Sequence, residues 1–304
     1  MRIGLTGSSG FLGNVLCKVL SKDHEIISIG RRESSFFYDF KSVISTLPST
    51  ELMIHCAGKA HISPKKNQQK DFFTVNVSYT ENLLNSLTLS KKVPFFFILI
   101  SSVSVYGLDH GKRINENHPL NATDHYGLSK LQAEYLVQDW CQKNNVILSI
   151  LRLPLVVGHN PPGNLGAMIR AIQKGYYFNV AGGDAKKSMV LAEDVAKSIV
   201  KVAPIGGIYN LTDGYGPSFS EISNCISIQL KKTKPANMYL WLAKLAAFFG
   251  DFLGSKAPIN TNKLIKITSD LTFDDSKARV SFGWCPTPVL EGFQISAKFN
   301  DTNI

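Results

Sequence analysis

The sequence predicts an α/β fold: a doubly wound parallel sheet with a smaller C-terminal α/β unit. Three observations carry that prediction. Short β-rich runs, mostly apolar on both faces, recur at Ile3–Thr6, Ile26–Ile29, Leu52–His55, Phe95–Ile100 and Ile147–Leu151. Helical periodicity separates them, and strands that are apolar throughout need cover on both faces. A glycine-punctuated turn joins the first strand to the first helix, where right-handed crossovers place ligands at the carboxyl ends of the strands.

The elements follow in order. After the first strand, Phe11, Leu12, Val15, Leu16, Val19 and Leu20 fall at three- and four-residue spacing, which is one face of a helix. Leu128, Leu131, Tyr135, Leu136 and Trp140 repeat the pattern between the fourth and fifth strands. Past Arg152 the chain turns loop-rich at Pro154, Gly158, Pro161, Pro162 and Gly163. Residues 1–155 are therefore expected to form the sheet domain, with a return strand within 188–212 (Ile208–Leu211). Residues 156–187 and 213–304 are expected to form the smaller domain.

Composition is that of a globular chain: 304 residues, 44% hydrophobic and 18% charged, which excludes disordered and fibrous classes. Thirty-three basic against 23 acidic residues leave a net charge of +10, which favours anionic partners. The short runs Lys65-Lys66, Lys91-Lys92 and Lys231-Lys232-Thr233-Lys234 lack interleaved aromatics and read as solvated faces, so nucleic acid is not expected as a partner. The five cysteines are dispersed without a C-x-x-C pair and read as buried reduced thiols. No metal is expected at His61, His110 or His125, which lack suitably spaced carboxylates. A strand pattern already present at Ile3 argues against a signal peptide, and no integral membrane segment is expected. These features point to the cytoplasm. Tyr239 to Leu253 leaves a choice open. Leu240, Leu242, Leu245, Ala246, Phe249 and Phe252 suit a helix lying on a membrane, while packing on the smaller domain or at a dimer contact is the more common outcome.

Thr6-Gly7-Ser8-Ser9-Gly10-Phe11-Leu12-Gly13 spaces its glycines as G-x-x-G-x-x-G. Glycines there let the backbone turn tightly and bring N–H groups against a pyrophosphate at a helix N-terminus. The second strand ends Ile29-Gly30-Arg31-Arg32, with no acid before Glu33. A carboxylate at that place hydrogen-bonds ribose hydroxyls, whereas Arg suits a 2′-phosphate. NADP(H) is therefore preferred over NAD(H). Tyr126 and Lys130 stand four apart on one helical face, where an ammonium lowers a phenol's pKa and yields a general acid/base. Ser101 to Gly107 closes the fourth strand at the ligand face, where a hydroxyl can hold a developing oxyanion.

These residues, with His55-Cys56-Ala57-Gly58, Val75-Asn76-Val77, Leu151-Arg152-Leu153-Pro154, Lys187 to Asp194, Tyr209-Asn210-Leu211 and Asp275 to Arg279 before Gly283-Trp284, resemble the extended short-chain dehydrogenase/reductases. Within them the likeness is to the sugar-nucleotide epimerase/dehydratase/reductase group, over nearly the whole chain. The resemblance implies a Rossmann sheet with a C-terminal substrate domain. It makes Ser102, Tyr126 and Lys130 catalytic, with Ser101 and Ser104 as alternatives to Ser102. The implied cofactor set is Gly7, Ser9, Gly10, Phe11, Leu12, Gly13, Arg31, Arg32, Asp39, Cys56, Ala57, Gly58, Asn76, Tyr126, Lys130 and Leu153. Ser102, Ser104, Asn164 and Lys187 are the implied substrate contacts, Lys187 standing where the family commonly has Arg.

The family's 4,6-dehydratases carry Asp-Glu after the catalytic hydroxyl, and Val103-Ser104 stand there in this chain. Arginines at the second strand favour NADPH, and hence net reduction. The expectation is a reductase of a UDP- or dTDP-linked 4-keto-6-deoxy (amino)hexose for surface polysaccharides, acting as a homodimer. The alternative is a UDP-hexose or UDP-N-acetylhexosamine 4-epimerase with tightly bound NAD. A cofactor-binding sensor without turnover is disfavoured by the intact Ser102, Tyr126 and Lys130 set.

Overall fold

Seven parallel strands form the main sheet of the computed structural model, which describes residues 1–31, 34–60, 68–253 and 259–296. They are β1 (Arg2–Thr6), β2 (Glu25–Gly30), β3 (Phe36–Phe37), β4 (Leu52–His55), β5 (Phe96–Ser102), β6 (Ile147–Leu153) and β7 (Gly207–Asn210). Their spatial order is β7-β6-β5-β4-β1-β2-β3. The chain winds outward from β1 to β2 and β3, then returns to build β4 to β7 on the other side. The order therefore reverses between β1 and β4, and the crevice beyond their carboxyl ends is where such sheets bind ligands.

Helices cover both faces because the strands are apolar on both. Helix α1 (Phe11–Leu20) lays Leu12, Leu16 and Leu20 against the sheet beside the helix Ala192–Val202, which contributes Val195, Ala196, Ile199 and Val202. On the opposite face, α2 (Tyr79–Leu89) buries Leu83, Leu84 and Leu87 next to α3 (His125–Lys143), which adds Val137, Trp140 and Cys141. The Trp140 indole donates to Thr88 Oγ1 at 2.9 Å and ties α3 to α2.

Three expectations are corrected. The buried face of α3 is Ser129, Lys130, Ala133, Glu134, Val137, Trp140 and Cys141, while Leu128 and Tyr135 are exposed. Two charged residues take the inward face because each has a buried partner, described below. Strand β5 runs on through Ser101 and Ser102, and β3 is a two-residue edge too short for any periodicity to show. Cys285 is exposed, against the expectation of buried thiols; Cys141 is buried, and all five cysteines are free.

Of the 188–212 stretch, only Gly207–Asn210 enters the main sheet. Met189–Leu191 pairs with Leu155–Val157 in a separate two-stranded sheet. Phe178–Val180 pairs with Ala236–Met238, and Gly111–Ile114 with Leu271–Phe273. Helices Gly163–Gln173 and Phe219–Gln229 enclose a second core around Leu165, Ile169, Ile222 and Ile226. The latter helix begins with a reciprocal capping box between Ser218 and Glu221. Among the described residues no helix is long and apolar enough to cross a membrane, and no His, Cys, Asp or Glu group is arranged to hold a metal.

Candidate active site

The glycine loop fits a dinucleotide. Gly7 has φ +74°, a left-handed conformation, and a Cβ on it would lie 2.6 Å from the Ala57 nitrogen. A Cβ on Gly13 would fall 2.0 Å from the Gly7 oxygen, so α1 packs against the loop only because that position is bare. Gly10 caps α1 without a side chain, and no acid stands in the first turn. The N–H groups of this turn and the positive helix end thus face the crevice unopposed by charge, which suits a pyrophosphate. Ser9 is exposed and Phe11 half-buried, while Leu12 is buried in the core, so any contact from Leu12 is through its backbone.

Next to this loop, β4 ends at His55, a residue whose role the sequence does not advertise. Thr6 Oγ1 meets His55 Nδ1 at 2.8 Å, and His55 Nε2 meets Thr80 Oγ1 at 2.8 Å. Thr80 donates onward to the Asn76 carbonyl, and Thr6 accepts from the Ala57 N–H. The chain of donors closes with a neutral imidazole protonated on Nε2. Burial, then the Lys130 charge, pushes the His55 pKa from 6.5 to about 3. Since the folded value lies below the unfolded one, the stability is fully present above pH 6.5 and lost as pH falls toward 3. Denaturant titration is expected to show about 2 kcal/mol less stability at pH 5 than at pH 7 from this group. A His55→Gln variant should lack that increment.

Asn76, in the π-helical turn Thr74–Ser78, has its side chain fully engaged. Its Oδ1 accepts the Lys59 N–H at 2.7 Å, and Nδ2 donates to the Lys59 carbonyl and to Ser129 Oγ. It clamps the Cys56-Ala57-Gly58 loop to α3. The Cys56 thiol is pushed up to about 12, chiefly by burial.

Strand β5 and helix α3 bring the three expected catalytic groups together. Asp124 caps α3, accepting the Tyr126 and Gly127 N–H groups at 3.0 Å each, which sets the first turn bearing Tyr126. Tyr126 packs its ring 5.9 Å from that of Phe72. Burial raises the phenol above its ordinary pKa, the Ser102 hydroxyl draws it back by hydrogen bonding, and Asp124 raises it further. This differs from the expectation that Lys130 lowers it. The Lys130 ammonium instead donates to the Ile100 carbonyl at 2.7 Å, beside Gly58. Burial brings Lys130 down to about 8, against upward pulls from Glu134 and Cys56.

Among the three serines, geometry separates roles. Ser101 Oγ donates to Glu134 Oε1 at 2.5 Å and is committed to the interior. Ser102 and Ser104 share a 3.1 Å hydrogen bond between hydroxyls at the strand end. Glu134 also holds Arg152, with Nε–Oε1 at 3.2 Å and Nη2–Oε2 at 2.8 Å. Arg152 Nη1 donates to the Tyr106 hydroxyl, which donates to Asn210 Oδ1 at 2.8 Å. Glu134 and Asp124 are site-supporting residues that the sequence reading missed. The signal for Glu134 was its place one turn after Lys130.

The other expected residues sit further out. Arg31 is exposed immediately past the end of β2, and Arg32 and His61 lie outside the described residues. Asp39 is half-buried just past β3 and accepts the Lys41 N–H. The Leu153 side chain is buried in the core, leaving its backbone at the end of β6. Asn164 is exposed in the first turn of its helix. Lys187 is half-buried and its pKa is lowered by burial, with Asp270 and Asp109 opposing. Among the described residues neither hydrogen-bonds to Ser102, Tyr126 or Lys130.

The structure thus sets a glycine cradle at the β1/β4 switch point, with Ser102, Tyr126 and Lys130 beyond β5. The model of the NAD dependent epimerase/dehydratase family matches residues 3–211. The chain belongs to that family. It is thus a nicotinamide-dependent enzyme of the extended short-chain type. An N-acetyl-alpha-D-glucosaminyl-diphospho-ditrans,octacis-undecaprenol 4-epimerase of Escherichia coli O157:H7 is 25% identical, over 97% of this chain and 94% of that protein. The UDP-glucose 4-epimerase of Vibrio cholerae is 26% identical over the same shares. Among solved structures, MoeE5 with UDP-glucose and NAD superposes with a TM-score of 0.75 at 19% identity, covering 96% of both chains. RMD from Pseudomonas aeruginosa with NADPH gives 0.70 at 17%, again over 96% of each. These family neighbours share the Rossmann-like fold and between them carry either nicotinamide cofactor.

Proposed function

We propose that this chain is an NADPH-dependent reductase of a 4-keto-6-deoxy (amino)hexose linked to UDP or dTDP. It would act in the cytoplasm, in the making of surface polysaccharide sugars. The observation that carries this reading is Arg31, exposed where β2 ends and followed by Arg32, with no acid between Gly30 and Glu33. A 2′-phosphate finds a cationic partner there, whereas an enzyme that merely borrows and returns a hydride gains nothing from that phosphate. A Tyr126 phenol above its ordinary pKa starts protonated, as the reduction step needs.

The loop Gly7, Ser9, Gly10 to Gly13, with Cys56 to Gly58, would hold the cofactor, Asp39 and Leu153 flanking it and Asn76 keeping the second loop in place. Bound NADPH supplies a hydride to a carbonyl carbon. Tyr126 would then give its phenolic proton to the oxygen that accumulates charge at sugar C4, with the Ser102 hydroxyl turning from Ser104 to donate to that oxygen. Lys130, whose ammonium lies beside Gly58, would engage the ribose. Asn164 and Lys187 would meet the nucleotide diphosphate, Lys187 as a point charge rather than a fork. Leu128 and Tyr135 on the outer face of α3 support a homodimer.

Purified protein given NADPH and UDP-4-keto-6-deoxy-GlcNAc is expected to oxidise the cofactor stoichiometrically and yield a 4-hydroxy sugar. The second reading, a 4-epimerase with NAD, is favoured by two relatives that are 4-epimerases, aligned over 97% of the chain. It would appear as interconversion of UDP-GlcNAc and UDP-GalNAc without net oxidation. Replacing Arg31 with Ala should weaken NADPH by about 10- to 100-fold in a fluorescence titration, the scale of one charge-assisted hydrogen bond. NADH binding should be unchanged; equal losses for both cofactors would remove the argument for reduction.

A further inference from the structure

The helix Leu240–Leu253 is packed the wrong way round for a water-facing element. Its seam toward the protein is Ala243, Ala247 and Gly250, seated on Leu264 with Val180, Met238, Ile259 and Ile267 around it. The opposite side carries Trp241, Leu245, Phe248 and Phe252, spaced i, i+4, i+7 and i+11, so that they form one stripe. Their exposures are 64%, 51%, 58% and 77%. Phe249 flanks the stripe at 60%, and Tyr239, just before the helix, is 72% exposed. Large side chains point outward and small ones inward, so core packing does not explain the sequence of this helix.

Charge identifies the occupant. From Ile222 to Gly250 the chain holds Lys231, Lys232, Lys234 and Lys244 without an acid; Glu221 precedes the run, and Asp251, on the helix itself, follows it with its carboxylate bonded to Thr261. All four lysines are exposed; the first three precede the strand that feeds the helix, and Lys244 lies on the helix itself. A second copy of the chain would meet this face with the same excess of lysines, Asp251 being the one acid of the helix. An anionic lipid surface offers both an apolar layer and the opposite sign, and Trp and Tyr favour the boundary between them.

We infer that this helix is an in-plane membrane anchor, seating the protein on an anionic bilayer with the Trp241–Phe252 stripe in the acyl boundary and the lysines at the headgroups. At 14 residues it lies on the surface and does not span. It also packs against the helix Thr261–Thr268, whose Lys266 pairs with Asp109 and faces Lys187. The anchor is therefore joined, through that helix, to the neighbourhood of Lys187. Docking itself does not depend on which reaction is catalysed.

The test is co-sedimentation of the full chain with vesicles of phosphatidylcholine, with and without phosphatidylglycerol. Wild type is expected on the phosphatidylglycerol vesicles, with release by salt. Lys231→Gln/Lys232→Gln/Lys234→Gln should lower the partition coefficient about 10- to 100-fold. Trp241→Ser/Phe248→Ser/Phe252→Ser should lower it by about 100-fold or more. Unchanged cofactor binding and far-ultraviolet circular dichroism would show that both variants fold. Equal sedimentation of wild type and the stripe variant, or indifference to phosphatidylglycerol, overturns the proposal. So does a wild-type dimer that ignores vesicles and falls to monomer in the stripe variant, which would assign the face to a second copy.

Discussion

Tyr126→Phe is expected to bind nicotinamide cofactor as wild type does and to lose about 10²- to 10⁴-fold in kcat, the usual share of a positioned proton donor. The substitution keeps the ring that packs 5.9 Å from Phe72, and the cap from Asp124 acts on backbone N–H groups, so the start of α3 is undisturbed. What disappears is the single proton held between Ser102 and the crevice. KM should change little, because the lost interaction belongs to charge that develops on the sugar oxygen during reaction. In wild type, kcat/KM for the cofactor should also decline above pH 8 or so, as Lys130, brought down to about 8 by burial, sheds the charge it would offer the bound ribose. Stopped-flow turnover across pH for both proteins checks this. A variant that keeps most of its rate would move the proton-donor role elsewhere.

Arg152→Met is expected to produce the largest loss of stability, about 3–5 kcal/mol, since it strands the Glu134 carboxylate in the interior. The two side chains are 2% and 0% exposed, so neither water nor salt screens the pair. Burial alone would lower the Arg152 pKa, and the Glu134 hydrogen bonds more than reverse that, leaving it raised. Thermal melts should fall by roughly 10 °C. Adding Glu134→Leu to the variant should recover much of the loss, because an apolar pair of similar volume is often nearly neutral in place of a buried ion pair. If the double variant is no better than the single one, the cost comes from lost packing on Tyr106, whose ring lies 5.1 Å from the guanidinium carbon.

Much of the scaffold was legible in the sequence because its signals are local. The strand runs, the glycine spacing and the four-residue step from Tyr126 to Lys130 each lie within one element or one turn. The Ile208–Leu211 run reads as a return strand, and Gly207–Asn210 pairs with β6. What escaped depends on partners far away along the chain. Glu134 reads as a solvated helix residue until Arg152, 18 positions on, supplies its counterion. That pairing turned the α3 face around and left Leu128 and Tyr135 outside, where their apolar character had placed them inside. His55 looks like an ordinary strand end until Thr6 and Thr80 close on both ring nitrogens. The helix at 240–253 shows apolar periodicity without saying which side of it faces the protein.

Asn210 has a bearing on how the enzyme comes into being. Its side chain accepts from Tyr106 and donates to the Ile114 carbonyl, while its N–H reaches Glu116, so β7 locks segments about a hundred residues earlier. Those segments include the turn that follows Ser102, and Tyr106 in turn steadies Arg152 and Glu134 beneath Lys130. Strands β1 to β6 can pair before β7 does, yet the turn after Ser102 gains these ties only once residue 210 has docked. Loop closure over such a span is slow and comes late. Competence should therefore arrive in one step near the end of refolding, well after most helix has formed.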